Sequence, residues 1–232
     1  MKKFTNSKWI IFRSWITLNA LIFCFSSEIQ AQTDQFQNLP QYLFPEFSLG
    51  TVKMKVGNNL TTILNYNIVT GKMVFSQKDQ VFDLVNPDMV DTVYLNSRKF
   101  IPVGKVFYEV IMEKPIALFI EHKGKVLEPG KPAAYGGTSQ LSSSNYVTNL
   151  PNDASVYNIK LPDDYTVESD PVYWIFMNGN KYNFINERQF TKFFRGRETD
   201  IKEFVKKNRI KFDNPQDVKK LVSFCSSFIE KV

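Results

Sequence analysis

From Thr51 onward, apolar and polar positions alternate in short runs, each closed by a turn signal. "TVKMKV" alternates, "GNN" turns, "LTTILNYN" answers it, "VTGK" turns again and "KMVFS" follows. The series continues through "QVFDLV", "VDTVYLN" and "KFIPVG", broken by "QKD", "NPDM" and "NSRK". Two longer runs, "KVFYEVIMEK" and "IALFIEHKGKV", meet at Pro115, which cannot donate to a strand ladder and therefore marks their connection. This pattern predicts about eight strands with no helix between them. Parallel strands need crossovers of about a dozen residues or more, so the sheet is expected to be antiparallel. It should form a meander, either as a twisted sheet or as a half-closed barrel.

A stretch of small residues, "GKPAAYGGTSQLSSSNYVTNLPND", interrupts the alternation. After it "SVYNIKL" and "DYTV" read as a strand pair, and "PVYWIFMNGNKYNFIN" as a hairpin turning at Asn178, Gly179 and Asn180. The period then changes to that of helices. Asn186 and Gln189 have capping-box spacing ahead of "ERQFTKFF", and Gly196 marks an end. In "ETDIKEFVKKN" Ile201, Phe204 and Val205 form one stripe. The third helix combines Asn214 as cap, Pro215 at the first helical position and Asp217 in the first turn. Its buried face is expected to be Val218, Leu221, Val222, Cys225, Phe228 and Ile229, packed on the preceding helix and the hairpin. The fold class read from the pattern is α+β: a β-meander, then a hairpin and about three C-terminal helices.

The start of the chain has a different pattern. Lys2, Lys3, Lys8 and Arg13 precede the apolar run "WITLNALIFCF", which at about eleven residues is too short to span a bilayer. Residues 1–31 therefore read as a signal peptide cleaved after Ala31. Cys24 lacks the small residues before it that lipidation requires, since Ile22 and Phe23 stand there. Cleavage leaves Cys225 as the only cysteine, so an intrachain disulfide is excluded by count and stability must come from a packed core. The expected division is 32–50 as an irregular lead-in, 51–127 as the β region, 128–154 as a Gly/Ser-rich loop, and 155–232 as hairpin plus helices. No later segment approaches the length of a membrane span.

Charge sharpens this division. The net charge of +6 hides an asymmetry: residues 32–180 carry 12 basic and 15 acidic side chains, and residues 181–232 carry 13 and 7. Arg188, Lys192, Arg195, Arg197, Lys206 and Lys207 form the candidate basic surface, expected to meet an anionic envelope surface. Nucleic acid is not an expected partner, because the interleaved phenylalanines fit helix cores and the chain reads as exported.

Local catalytic signatures are missing from the sequence. One histidine and one late cysteine do not make a zinc site, and neither HExxH nor CxxC occurs. "LPDDY" reads as a solvated acidic turn rather than a calcium loop. In "GKPAAYGGTS" the lysine follows the first glycine, not the second, so no P-loop forms, and no glycine follows Ser139 as a nucleophile elbow requires. His122 is expected at the surface or at a strand end. Its neighbour Glu121 should face the other side of the sheet, which denies it an acid–base partner there. Asp83, Glu109, Glu121, Asp163 and Asp164 are the carboxylates a glycosidase pair would draw on, and they read as charges on the polar face of a sheet. No cofactor or metal is implied.

The segments "LNYN", "VNPDMVDTVYLNSRKFIPV", "GKVFYEV", "GKPAAYGGTSQLSS", "LPDDYTV", "PVYWI" and "NERQFTKFF…DIKEFVKKNRIKFDNPQDVKKLVSFC", from roughly Phe44 to Cys225, resemble a family of uncharacterised exported proteins of the bacteroidete type. The resemblance implies export from a Gram-negative cell and assigns no activity or catalytic residue. The periplasm is the expected address, because the chain ends in a helix rather than in a β-sandwich sorting domain. The form "PAAYGGTSQLSS" within the resemblance gives Tyr135, Gly136, Gly137, Thr138 and Ser139 as candidate binding residues. Together these readings predict a non-enzymatic envelope module that binds or scaffolds another envelope protein. The alternatives are a glycan-directed hydrolase using scattered carboxylates, and peptide capture at a sheet edge.

Overall fold

The computed structural model describes residues 36–78, 80–127, 131–132, 138–139, 161, 165–177 and 179–228. The chain divides into two compact units, Met1–Gln37 and Asn38–Val232, and every described strand belongs to the second. The residues expected as a signal peptide lie outside the described residues, as do "SVYNIKL" up to Lys160, Asp163, Asp164, Asn178 and Ile229.

The strands are β1 (Ser48–Met54), β2 (Leu60–Asn67), β3 (Lys72–Gln77), β4 (Gln80–Asp83), β5 (Val90–Leu95), β6 (Arg98–Val103), β7 (Val106–Met112), β8 (Ala117–Glu121), β9 (Gly124–Leu127), β10 (Lys131–Pro132), β11 (Thr138–Ser139), β12 (Thr166–Ser169), β13 (Val172–Met177) and β14 (Asn180–Phe184). Ten form one antiparallel sheet in the order β14-β13-β8-β7-β6-β5-β1-β2-β3-β4, and the expected α+β class with its antiparallel meander is the observed one. Turn chemistry sets the registers. Asn96 and Ser97 both take positive φ, 48° and 62°, giving the two-residue turn that pairs Leu95 with Arg98.

The ladder is open, yet it coils back on itself. Gly71, at φ 70°, ends the β2–β3 turn, and its carbonyl accepts the Phe107 N–H of β7 at 2.8 Å. A Cβ built there would lie 2.9 Å from Val106 Cγ1, so close approach and a positive φ both call for glycine. Beyond Glu121 the long run breaks at His122–Lys123, and β9 leaves the large sheet to pair with β12. This corrects the expected partner of "DYTV", whose strand pairs with β9, Thr166 opposite Leu127.

The lead-in is more ordered than expected. Tyr42 bridges Asn67, and the Leu43 N–H donates to the Tyr66 carbonyl. The buried Asn65 amide donates to the carbonyls of Phe44 at 2.9 Å and Glu46 at 3.2 Å, and β1 begins at Ser48 rather than Thr51. Within the predicted Gly/Ser-rich loop, β10 and β11 pair antiparallel.

Three helices complete the chain: α1 (Glu187–Thr191), α2 (Glu198–Asn208) and α3 (Pro215–Ser226). The Asn186 side chain caps α1 by accepting the Gln189 N–H at 3.0 Å, while Gln189 Oε1 reaches back to the Ile185 N–H. That helix is shorter than its apolar pattern suggested. Its continuation tightens, with Phe193 and Phe194 donating to residues three back instead of four. Asn214 caps α3, accepting from the Gln216 N–H at 3.0 Å ahead of Pro215.

Two apolar clusters result. One joins Val52, Leu64, Tyr66, Met73, Val93, Phe100 and Phe107 inside the coiled part of the sheet. The other joins Leu118, Ile120, Tyr173, Ile175 and Phe184 to Phe190, Ile201, Val218, Leu221 and Val222 of the helices. Residues directly opposite one another share a face. The row Val52, Val93, Phe100, Glu109, Ile120, Tyr173, Phe184 therefore runs across seven strands on one face. Both clusters lie on that concave face, and Glu109 is the residue between them.

Candidate functional site

Glu109 is the one ionisable carboxylate in an otherwise apolar or aromatic row, and it is 6% exposed. Burying it requires a partner. His122 Nε2 lies 2.6 Å from Glu109 Oε2, and Arg98 Nη1 donates to the same oxygen at 3.4 Å. His122 reaches it because Glu109 stands opposite Ile120, two residues earlier on the same face of the neighbouring strand. Tyr66 completes the cluster. Its hydroxyl donates to the Phe107 carbonyl at 2.9 Å, with the His122 carbonyl 3.4 Å away, and its ring meets the imidazole edge at 5.6 Å. Burial pushes the Tyr66 phenol well above its ordinary range, so it remains a donor.

His122 stands at a strand end, one of the two places expected for it, and is 6% exposed there. One expectation is corrected. Glu109 faces the core, not the polar side of the sheet, because the sheet coils and helices cover the part beyond it. The reading that Glu121 cannot serve His122 agrees with the geometry.

Glu121 belongs to the opposite, outer face, where it faces Val172 on β13. Its Oε2 accepts the Trp174 indole N–H at 3.0 Å and the Tyr108 hydroxyl at 3.2 Å, and Lys123 approaches Oε1. The Tyr108 and Trp174 rings are nearly parallel with centroids 5.8 Å apart. Lys181 of β14 extends its ammonium over both, 4.0 Å from the Trp174 centroid and 4.8 Å from that of Tyr108. Burial, and then the Glu121 charge, raise the Tyr108 phenol above its ordinary range. Across the same face Lys53 lies over the Tyr94 ring, and Phe176 is 50% exposed. The helix cluster lies on the concave side, away from these residues.

The other expected site residues are dispersed. Asp83 pairs with Lys72. Tyr135, Gly136 and Gly137 lie outside the described residues, and Thr138 and Ser139 contribute the β11 backbone. Arg188 on α1, Lys192, Arg195 and Arg197 in the connection to α2, and Lys206 and Lys207 on α2 are all exposed. Arg197 pairs with Asp200 at 3.3 Å and stands over the Phe228 ring. The first four precede α2 and the last two close it, so the basic surface has two parts about 15 Å apart along the helix.

Among the described residues no cluster of three or more His, Cys, Asp or Glu gathers to hold a metal, and no helix is long and apolar enough to cross a membrane. The chain matches no family model, no curated protein and no solved structure.

Sequence reasoning missed both clusters, although their residue types were visible. Glu109 in "FYEVIM" was the available signal: a carboxylate at an in-facing position of a strand needs a cation or donor across the ladder.

Proposed function

We propose that this protein is an exported cell-envelope module that binds another envelope protein and does no chemistry of its own, with the outer face of the sheet as its recognition surface. The observation that carries the reading is the arrangement of Trp174, Tyr108, Glu121 and Lys181. Polar groups there are paired in advance, and the half-buried Trp174 ring is held parallel to the buried Tyr108 ring beneath the exposed Lys181, on a face that the helices leave uncovered. Aromatic surface fixed before binding loses little conformational freedom on association, which favours its use as a contact.

For the glycan-hydrolase alternative, Glu109 and Glu121 do not make a facing pair, while Asp163 and Asp164 lie outside the described residues. Glu109 and Glu121 point to opposite faces of one sheet, and Glu109 is occupied by His122 and Arg98. A glycosidase pair needs both carboxyl groups flanking one bond, about 5 to 9.5 Å apart.

The test is site-specific crosslinking in the producing cells, with a photoreactive residue at Phe176 or, for comparison, at Asn208 on the helices. A discrete adduct from Phe176 that is absent from Asn208 and lost with Lys181→Glu supports the reading. No adduct at Phe176, or the same one from both positions, overturns it.

A further inference from the structure

The end of the helical region where α2 turns into α3 carries six cations: Lys206, Lys207, Arg209, Lys211, Lys219 and Lys220, all exposed. Between Val205 and Phe212 no acidic residue intervenes. The nearby carboxylates are Glu203 one turn before Lys206 and Lys207, Asp213 on the connecting turn and Asp217 in the first turn of α3, whose Oδ2 is engaged by the Lys211 backbone N–H at 3.2 Å, so cations outnumber them two to one. Among the described residues the one ion pair within the helices is Arg197–Asp200, at the other end of α2.

The turn is fixed from beneath. Arg209 takes φ 51° and its N–H bonds back to the Lys206 carbonyl, while the Ile210 N–H bonds to the Val205 carbonyl at 3.0 Å. Val205, Ile210 and Val218 are buried in the helix cluster, so the apolar side of this turn is used by the core and the cations face outward. Helix electrostatics accounts for part of the charge. Lys206 and Lys207 lie in the last turn of α2, where the helix dipole favours cations, but Lys219 and Lys220 lie in the second turn of α3, where it gives them no such help. A helix end that needed only its own dipole balanced would not gather four further cations at the cost of mutual repulsion.

We propose that this α2–α3 end docks the protein on an anionic phospholipid surface. The charge complementarity is to an array and not to one phosphate, because the cations are spread over two helices and the turn between them. Attraction of this kind grows with each basic residue brought near the lipid and falls off within a Debye length. The proposal adds a mooring to the recognition face proposed above, rests on the same export reading, and uses separate residues.

The experiment is co-sedimentation of the chain from Gln32 to Val232 with vesicles of phosphatidylcholine alone or mixed with phosphatidylglycerol. Binding to the mixed vesicles only, weakened by salt, is expected. Lys206→Glu with Lys207→Glu should weaken it by about tenfold or more. Arg188→Glu with Lys192→Glu, on α1 and directly after it, should change it by less than about threefold. Circular dichroism checks that both variants fold. No binding to the mixed vesicles, equal binding to neutral ones, or equal loss in both variants overturns the proposal. So does full competition by millimolar inorganic phosphate at constant ionic strength, which would mark a site for free phosphate. Because the assay uses no cells and no outer-face variant, its failure would leave the crosslinking result standing.

Discussion

Glu109 and His122 each make the burial of the other tolerable, and this coupling is measurable. Replacing one partner leaves an unpaired polar or charged group inside, which typically costs about 3 to 5 kcal/mol. Glu109→Leu and His122→Leu are each expected to lose about 3 kcal/mol in urea unfolding, and the double variant distinctly less than their sum. Additive losses below about 1 kcal/mol each would show that the pair does not hold the seam. Tyr173 presents the opposite case: its buried hydroxyl has no hydrogen-bond partner among the described residues. Tyr173→Phe should therefore be neutral or slightly stabilising in the same assay, and a loss above about 1 kcal/mol would mean that the hydroxyl is satisfied. Cys225 is fully buried, and burial pushes its thiol from 9.0 up to about 12. A raised folded pKa contributes stability that is complete below the unfolded value and is lost as pH rises between those two. At pH 8 a thiol reagent should label the chain from Gln32 onward only after denaturant is added.

At the scale of elements, one close approach and one cap invite mutation. Gly71→Ala would place a methyl against Val106 at a backbone angle that alanine resists, just where the Phe107 N–H bonds back to the turn. The expected loss is about 2 kcal/mol or more, read as a fall in melting temperature, and an unchanged melt would show that the coil tolerates opening there. Asn214→Ala removes the side-chain acceptor at the start of α3 and should cost about 1 kcal/mol, while Asn214→Asp should retain most of it.

Among the described residues of Asn38–Val232 there are two apolar clusters but a single sheet through both. The row from Val52 to Phe184 passes through Glu109 without a break in the ladder, so neither cluster can lose its strands without disturbing the other. Thermal or urea unfolding is expected to be one transition, with Trp174 fluorescence and far-ultraviolet circular dichroism superimposable. Separate midpoints would show that the helical end and the coiled end unfold independently.

Strand existence, the antiparallel sense, the hairpin, the three helices and the α3 cap were legible in the sequence, because period, turn residues and capping residues act over a few neighbouring positions. What escaped were relations set by pairing at long range. Nothing near "DYTV" indicates that β12 pairs with β9, about forty residues earlier. The burial of His122 could not be read beside Glu121, because its partner Glu109 is on another strand. Alternation told which side chains share a face; only the coiling of the sheet and the packing of the helices decided which face is inside, and so placed Glu109 in the core and left Trp174, Tyr108 and Lys181 on the outer face.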